Sequence, residues 1–435
     1  MATQKRTLNL AITGHVDHGK STLVGRLFYE CGQIPPRVFE RLTRHAEALK
    51  RPELRFAFWS DRKLDERQRG ISIESAYHGF EHESTRFNVI DVPGHRDFIK
   101  NAISGLVSAD AAILVVDAKH TSTHGVAPQT KEAIVLLTAF GVSPILVAIN
   151  KMDSVDFSPD TFELTKLEIE NHFLQHCPIG NQLGPFIPVS AVQGDNVTQR
   201  SDSMSWFSGD TLLDAIAQIP LPSHSVDRPF RMPILRTFSV RGVGTVITGK
   251  IEAGSVAVGD RVVIVPYPEQ GSVGGEVKSI ESHHDQVQSA QAGDDVGIVL
   301  AKEDKHFVAR LAKKGAVVSA PSQLPPVMNR FLAEIRVIDH PSGVGPGYAP
   351  MLHIHQAAMP CRISEVVSVS EHDFESCSEA APRRISNGQS GLVWVETDRP
   401  LVVELVNEYP SLGRLVLRDG RTVAMGFCCG RGEVT

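Results

Sequence analysis

The stretch Gly14-His15-Val16-Asp17-His18-Gly19-Lys20-Ser21 fits G-x-x-x-x-G-K-[ST] without a gap. The apolar run 8–12 before it reads as a buried strand, and 21–29 after it reads as the opening of a helix. A polyphosphate needs many N–H donors aimed at one spot, and glycine lets the backbone come close enough to supply them. In such a cradle Lys20 reaches the outer phosphates and the Ser21 hydroxyl is a ligand for Mg2+, with Thr22 completing the binding set. An ordinary glycine-rich turn is the alternative; the strand before and the helix after argue against it.

A second stretch says which base is bound. The run 145–149 reads as a strand and ends in Asn150-Lys151-Met152-Asp153, an N-K-x-D pattern about 130 residues beyond the cradle. A carboxylate at Asp153 accepts from the two adjacent N–H donors on the guanine edge. Adenine offers neither, so the wrong base leaves a buried charge unpaired. Lys151 would lie along the base plane, and Asn150 would tie this loop to the phosphate loop. After the strand 186–189, Ser190-Ala191-Val192 is placed to offer backbone N–H groups to guanine O6. GTP and GDP are therefore the expected ligands, with Mg2+.

Between these lies a run ending in Asp91-Val92-Pro93-Gly94-His95. Asp91 is a candidate to hold Mg2+ through a water, and the Gly94 N–H to sense a γ-phosphate. His95 follows where an attacking water has to be placed, since histidine is the usual proton-handling residue; a helix-capping or surface role is its alternative. Arg69-Gly70-Ile71-Ser72-Ile73 offers the Ser72 hydroxyl for the metal's remaining position.

In this order the motifs resemble those of the translational GTPases, most closely the elongation factor 1-alpha and elongation factor Tu type, over nearly the whole chain. Gly14 through Ser21 is similar to G-H-V-D-x-G-K-S/T, and Asp91 through Phe98 to D-x-P-G-H-x-D-F. Later segments also look alike: Thr245-Val246-Ile247-Thr248-Gly249, Gly347 to His355, and Leu412 to Asp419. The insert 34–69, with an expected helix over 36–50, looks like the archaeal and eukaryotic type. The resemblance implies a phosphate-loop GTPase domain followed by two β-barrels, and GTP hydrolysis by metal-assisted phosphoryl transfer to water. It also implies aminoacyl-tRNA and the ribosome as partners, with a nucleotide exchange factor as a further candidate. Val16 and Ile71 match apolar residues that flank the catalytic histidine in the family. Ser72 stands where the family has threonine, keeping the hydroxyl without the stiffening methyl.

For the aminoacyl pocket the resemblance implies Phe238, Thr248, Glu281 and His283, with Arg236 and Asp295 at two departures. Arg236 stands where the family has aspartate, and Asp295 where it has asparagine. An internal Arg236–Asp295 ion pair is one account; a pocket for an anionic aminoacyl group is another. Carriers of release or rescue factors share this architecture, as does the GTPase subunit of ATP sulfurylase, and both remain competing readings. So does a nucleotide-binding protein that never hydrolyses, against which His95 speaks.

The alternation of strands and helical stretches over residues 1–221 argues for a mainly parallel sheet with helices on both faces. The segments 228–321 and 325–435 change to short β-rich runs divided by glycine, the texture of barrels. Proline-rich junctions at 220–225 and 321–326 separate the three. A net charge of -6 gives no general attraction for nucleic acid, so any RNA contact needs a local basic patch. Arg383, Arg384, Arg414, Arg418 and Arg421 are candidates. The six cysteines lack C-x-x-C spacing, and Cys428 with Cys429 reads as a free, reduced pair. With no apolar run long enough for a membrane helix, the expectation is a cytoplasmic monomer without a membrane association.

Overall fold

The computed structural model describes residues 6–61, 66, 72, 75–83, 85–176, 183–223, 225–266, 274–282, 285–301, 312–370 and 384–432. The chain divides into two compact units, 1–222 and 223–435.

The first unit is a six-stranded sheet built from β1 (Arg6–Thr13), β2 (Ala76–His82), β3 (Thr85–Asp91), β4 (Ala111–Asp117), β5 (Ile145–Asn150) and β6 (Leu183–Pro188). Their order across the sheet is β2-β3-β1-β4-β5-β6, and only β2 runs antiparallel to its neighbour. Every residue of β4 and β5 is buried, as expected of parallel strands covered on both faces. Helix α1 (Lys20–Glu30) lays Leu23, Val24, Leu27 and Phe28 on the sheet, and the inserted helix α2 (Pro36–Ala48) follows it. Strand order reverses at β1, with β3 on one side and β4 on the other. That is where open α/β sheets hold ligands.

The second unit holds two β structures. The first is an eight-stranded antiparallel sheet that includes Arg236–Val240, Gly244–Lys250, Gly274–Ser282 and Asp295–Leu300. Its core is formed by Ile247, Ile280, Ile298 and their neighbours. The other is a closed six-stranded antiparallel barrel running from Val327–Val337 to Arg421–Arg431. Between them Arg231 and Glu404 form a buried ion pair at 3.0 Å, beside a valine cluster of Val263, Val265, Val317 and Val402. Among the described residues no helix is long and apolar enough to cross a membrane.

Candidate functional site

The C-terminal ends of the central strands deliver the chemistry of the first unit. Asp91, Asp117 and Asn150 are the last residues of β3, β4 and β5, and Gly14 follows β1 directly. Gly19 takes φ 88°, and a Cβ there would stand 2.4 Å from Asn150 Nδ2. It is the N-cap of α1 and offers no side chain to the first-turn N–H groups. Gly94 must be glycine for a different reason. A Cβ on it would lie 2.3 Å from Lys20 Nζ and 2.7 Å from the Gly14 carbonyl.

Lys20 is buried and donates to the His15 carbonyl at 2.7 Å. Burial pulls its ammonium down to about 8, against the charges of Asp91, Asp17 and Asp61. Ser21 Oγ and Ser72 Oγ stand 3.1 Å apart, and Ser72 donates to Asp61 Oδ1 at 2.8 Å. Asp91 accepts from Ser60 Oγ at 2.5 Å through one oxygen, while its other oxygen is buried with no partner among the described residues. Burial raises its pKa, with the Ser60 hydroxyl and Lys20 opposing. Hydroxyls and carboxylates are the donor set Mg2+ takes. Together with an uncapped helix N-terminus and an orphaned carboxylate oxygen, these residues fit a magnesium-bound polyphosphate.

Asn150 joins the two halves of the site. Its Nδ2 donates to the His18 carbonyl at 2.8 Å, and its Oδ1 accepts from Ala191 N at 3.0 Å. Asp153 accepts from the Ser190 hydroxyl at 2.6 Å. Lys151, held at φ 63°, pairs with Asp117 at 2.8 Å. Burial works to raise the Asp117 carboxyl, but the His120 N–H and then Lys151 outweigh it and hold it below the usual range.

Several expectations change here. Ser190 and Ala191 do not offer free N–H groups to a base, because these donate to the Asp195 carbonyl and to Asn150. Val192 is the exposed member of the three, and its carbonyl accepts from Arg26. The His95 ring, about one-third exposed, accepts from Asp97 N through Nδ1 at 3.3 Å, so it caps the short turn Arg96–Phe98. His15 and His18 belong to a cluster not foreseen from the motif. Their rings and that of His120 lie 4.9 to 6.0 Å apart. Burial, and then the His15 and Lys20 charges, pull His18 to about 3, so its ring is neutral and donates to the Val115 carbonyl. Among the described residues no group of three or more such side chains is arranged to hold a metal ion. Val16 and Asp17 lie on the loop, half-buried and exposed; Ile71 falls outside the described residues.

In the second unit the expected pocket residues share one sheet face. Arg236 stands opposite Thr248, Thr248 opposite Gly297, and Gly297 opposite Glu281. Directly opposed residues point to the same side, so these four positions form a row across the sheet. Phe238, two residues along from Arg236, is 47% exposed on that face, and Asp295 joins it two residues before Gly297. Their neighbours Ile247, Ile280 and Ile298 turn the other way, into the core. The suggested Arg236–Asp295 pairing is not what the register gives: Asp295 faces Lys250. His283 and Arg383 lie outside the described residues. Of the candidate basic residues, Arg418 is buried, Arg414 is half-buried, Arg421 pairs with Asp339 and Arg384 donates to the Ser342 carbonyl. Cys428 and Cys429 are both free thiols.

A nucleotide cradle at the switch point of a doubly wound sheet, followed by two β structures, defines a phosphate-loop GTPase of the translational class. Residues 5–221 match the elongation factor Tu GTP binding domain, 244–319 elongation factor Tu domain 2, and 330–429 the GTP-eEF1A C-terminal domain-like family. The chain is 40% identical to elongation factor 1-alpha of Pyrobaculum aerophilum over 98% of its length and 95% of that protein's. It is 41% identical to that of Thermoplasma acidophilum, over 98% and 99%. The fold is also similar to the GTPase-like domain of S. cerevisiae Ski7, with a TM-score of 0.80 at 17% identity and 98% of each chain covered. The chain belongs to the elongation factor 1-alpha and elongation factor Tu family and is a GTPase.

Proposed function

We propose that this GTPase carries aminoacyl-tRNA to the ribosome, with GTP hydrolysis timing its release. The observation that supports this most directly is the row on the second unit: five side chains that the resemblance assigns to an aminoacyl pocket, far apart in sequence, share one solvent-facing sheet surface. A purely structural sheet face has no need of an exposed phenylalanine flanked by opposite charges. On this reading the domains run 1–221, 228–321 and 325–435, the protein acts as a monomer, and an exchange factor renews its GTP.

The loop 14–22 and Gly94 would hold the phosphates, with Lys20 as the point charge. Asn150, Lys151, Asp153 and the Ser190–Val192 turn would hold the guanine, Val192 supplying the contact to O6. Ser21, Ser72 and Asp91 would hold Mg2+, which when bound neutralises charge on the phosphates. Asp61, which accepts from Ser72, is an addition that the motifs did not disclose.

His95 acts on the water. The Asp97 N–H holds the ring through Nδ1 at 3.3 Å, which leaves Nε2 as the atom to meet the water. Protection of the aminoacyl ester tests the function. With GTP bound, the ester of a charged tRNA should decay more slowly in the presence of the protein than without it. Equal decay across a panel of charged tRNAs removes the carrier reading and leaves a release-factor carrier as its successor.

A further inference from the structure

Two consecutive residues outside the nucleotide motifs each hold one of the candidate magnesium ligands. Ser60, the last residue of the short helix Ala57–Ser60, donates through Oγ to Asp91 Oδ2 at 2.5 Å, and both residues are buried. Asp61, next in the chain, accepts from Ser72 at 2.8 Å, and Ser72 Oγ stands 3.1 Å from Ser21 Oγ. A hydroxyl-to-carboxylate bond as short as that of Ser60 is of the strong, charge-assisted kind. His78 Nε2 lies 3.4 Å from the same hydroxyl, its ring set against Phe28 and Trp59. After burial, the groups that act on the Asp91 carboxyl are the Ser60 hydroxyl, Lys20, the Ser21 hydroxyl and the charge of Glu66, in that order. Lys20 and Glu66 act through charge, and Ser21 is itself a candidate ligand, which leaves Ser60 to pin one oxygen. The last torsion of an aspartate is broad, so pinning Oδ2 decides where Oδ1 goes. Oδ1 is the buried oxygen without a hydrogen-bond partner among the described residues.

Resting on the reading of Ser21, Ser72 and Asp91 as the magnesium site, we propose that Ser60 is a positioning residue for that metal. It orients Asp91 so that Oδ1 is presented to Mg2+ or to its water. A partner one bond behind a metal ligand typically contributes about 10- to 100-fold in metal affinity. Ser60 belongs to the insert 34–69, so the same bond fastens that insert to Asp91 at the end of β3. A rearrangement that carries residues 60 and 61 away would release Asp91 and Ser72 together.

The test reads metal binding rather than turnover. A fluorescent, non-hydrolysable GTP analogue is bound to the full chain, and its retention is followed across a range of free Mg2+. Mn2+ uptake by the same complex is read by electron paramagnetic resonance. Ser60→Ala should raise the Mg2+ concentration for half-maximal retention, and the Kd for Mn2+, by about 10- to 100-fold. Affinity for the analogue in excess chelator should stay where it was. A bond with only a structural role would lower the unfolding midpoint of Ser60→Ala and leave both metal readings unmoved; that outcome overturns the proposal. Equal weakening of the analogue with Mg2+ and in chelator also overturns it, and assigns Ser60 to the shape of the cradle. Asp91→Asn separates the two levels. If it shifts the metal readings and Ser60→Ala does not, Asp91 holds the metal unaided and the positioning role falls alone. If Asp91→Asn shifts neither, the magnesium reading of Asp91 falls and takes this proposal with it.

Discussion

The nucleotide end of the first unit and the joint inside the second both bury charges, and they treat them in opposite ways. At the joint Arg231 is nearly enclosed, yet its donors are engaged by Glu404 at 3.0 Å, the Gln323 carbonyl at 2.8 Å and the Phe230 carbonyl at 3.1 Å. At the nucleotide end Lys20 is also buried, and among the described residues its hydrogen-bond partner is the His15 carbonyl. Among the described residues, one oxygen of Asp91 and one nitrogen of His18 are buried without a hydrogen-bond partner. An unsatisfied buried polar group costs about 1–3 kcal/mol. A fold tolerates that cost where a ligand relieves it, and avoids it where the task is to hold two parts together. The contrast separates a site from a joint.

The largest expected effect lies in the chemistry. His95→Ala should lower ribosome-stimulated GTP hydrolysis by about 10²- to 10⁴-fold, the usual loss on removing a positioned proton-handling group. GTP affinity should be retained, because the contacts of the His95 ring are with Asp97 and Phe98 of its own turn. Single-turnover hydrolysis with ribosomes, run beside nucleotide titration, reads both quantities. Unchanged turnover would strip His95 of its role and leave the turn cap as its only function.

The joint should answer in stability instead. Glu404→Ala leaves the Arg231 guanidinium buried without its carboxylate, which costs about 3–5 kcal/mol. Denaturant unfolding should show that loss in the second unit, with nucleotide affinity in the first unchanged. Burial raises the Glu404 carboxyl even with Arg231 alongside, which shows how much desolvation the pair must offset. If Glu404→Ala unfolds no more easily than the parent, the pair is not the fastening and the contrast drawn above fails.

How much of this could be read from the residues alone depends on range. The cradle, the guanine loop and strands β1, β3, β4 and β5 are written in contiguous motifs, so local pattern was enough. Strand β2 was not anticipated, because Ala76–His82 mixes histidine, glycine and glutamate and lacks the apolar run that marks its neighbours. Asp117 had a local signal that went unused: like Asp91 and Asn150 it closes an apolar strand at the ligand-bearing end. The Arg231–Glu404 pair had none, since its partners are 173 residues apart. The sheet face lies between these cases. Resemblance supplied Arg236, Phe238, Thr248, Glu281 and Asp295 as names, but only the register shows that they share a surface, and that Asp295 faces Lys250. The N–H groups of Ser190 and Ala191 were misjudged for a related reason: a turn sequence does not say which of its own donors are already engaged.

Glu334 is one of several poorly satisfied groups in the second unit, and it is a carboxyl on a barrel strand. It stands opposite Leu392 and Phe427, one of its oxygens is buried without a partner, and burial raises its pKa to about 7. The sign follows from linkage. A carboxyl near 4.3 when unfolded and near 7 when folded favours the fold fully below about pH 4, and that support is lost as pH rises through 7. Glu334→Gln keeps the shape and removes the charge, so it should stabilise the second unit at pH 8. Because the side chain is partly exposed, the gain is discounted to about 1 kcal/mol. At pH 5 the native carboxyl is already protonated and the gain should shrink to about a third, vanishing only below pH 4. Denaturant midpoints at the two pH values measure it directly. A gain of equal size at both would mean that the Glu334 carboxyl titrates alike in the folded and unfolded chain, and the cost of burying its charge would not be the explanation.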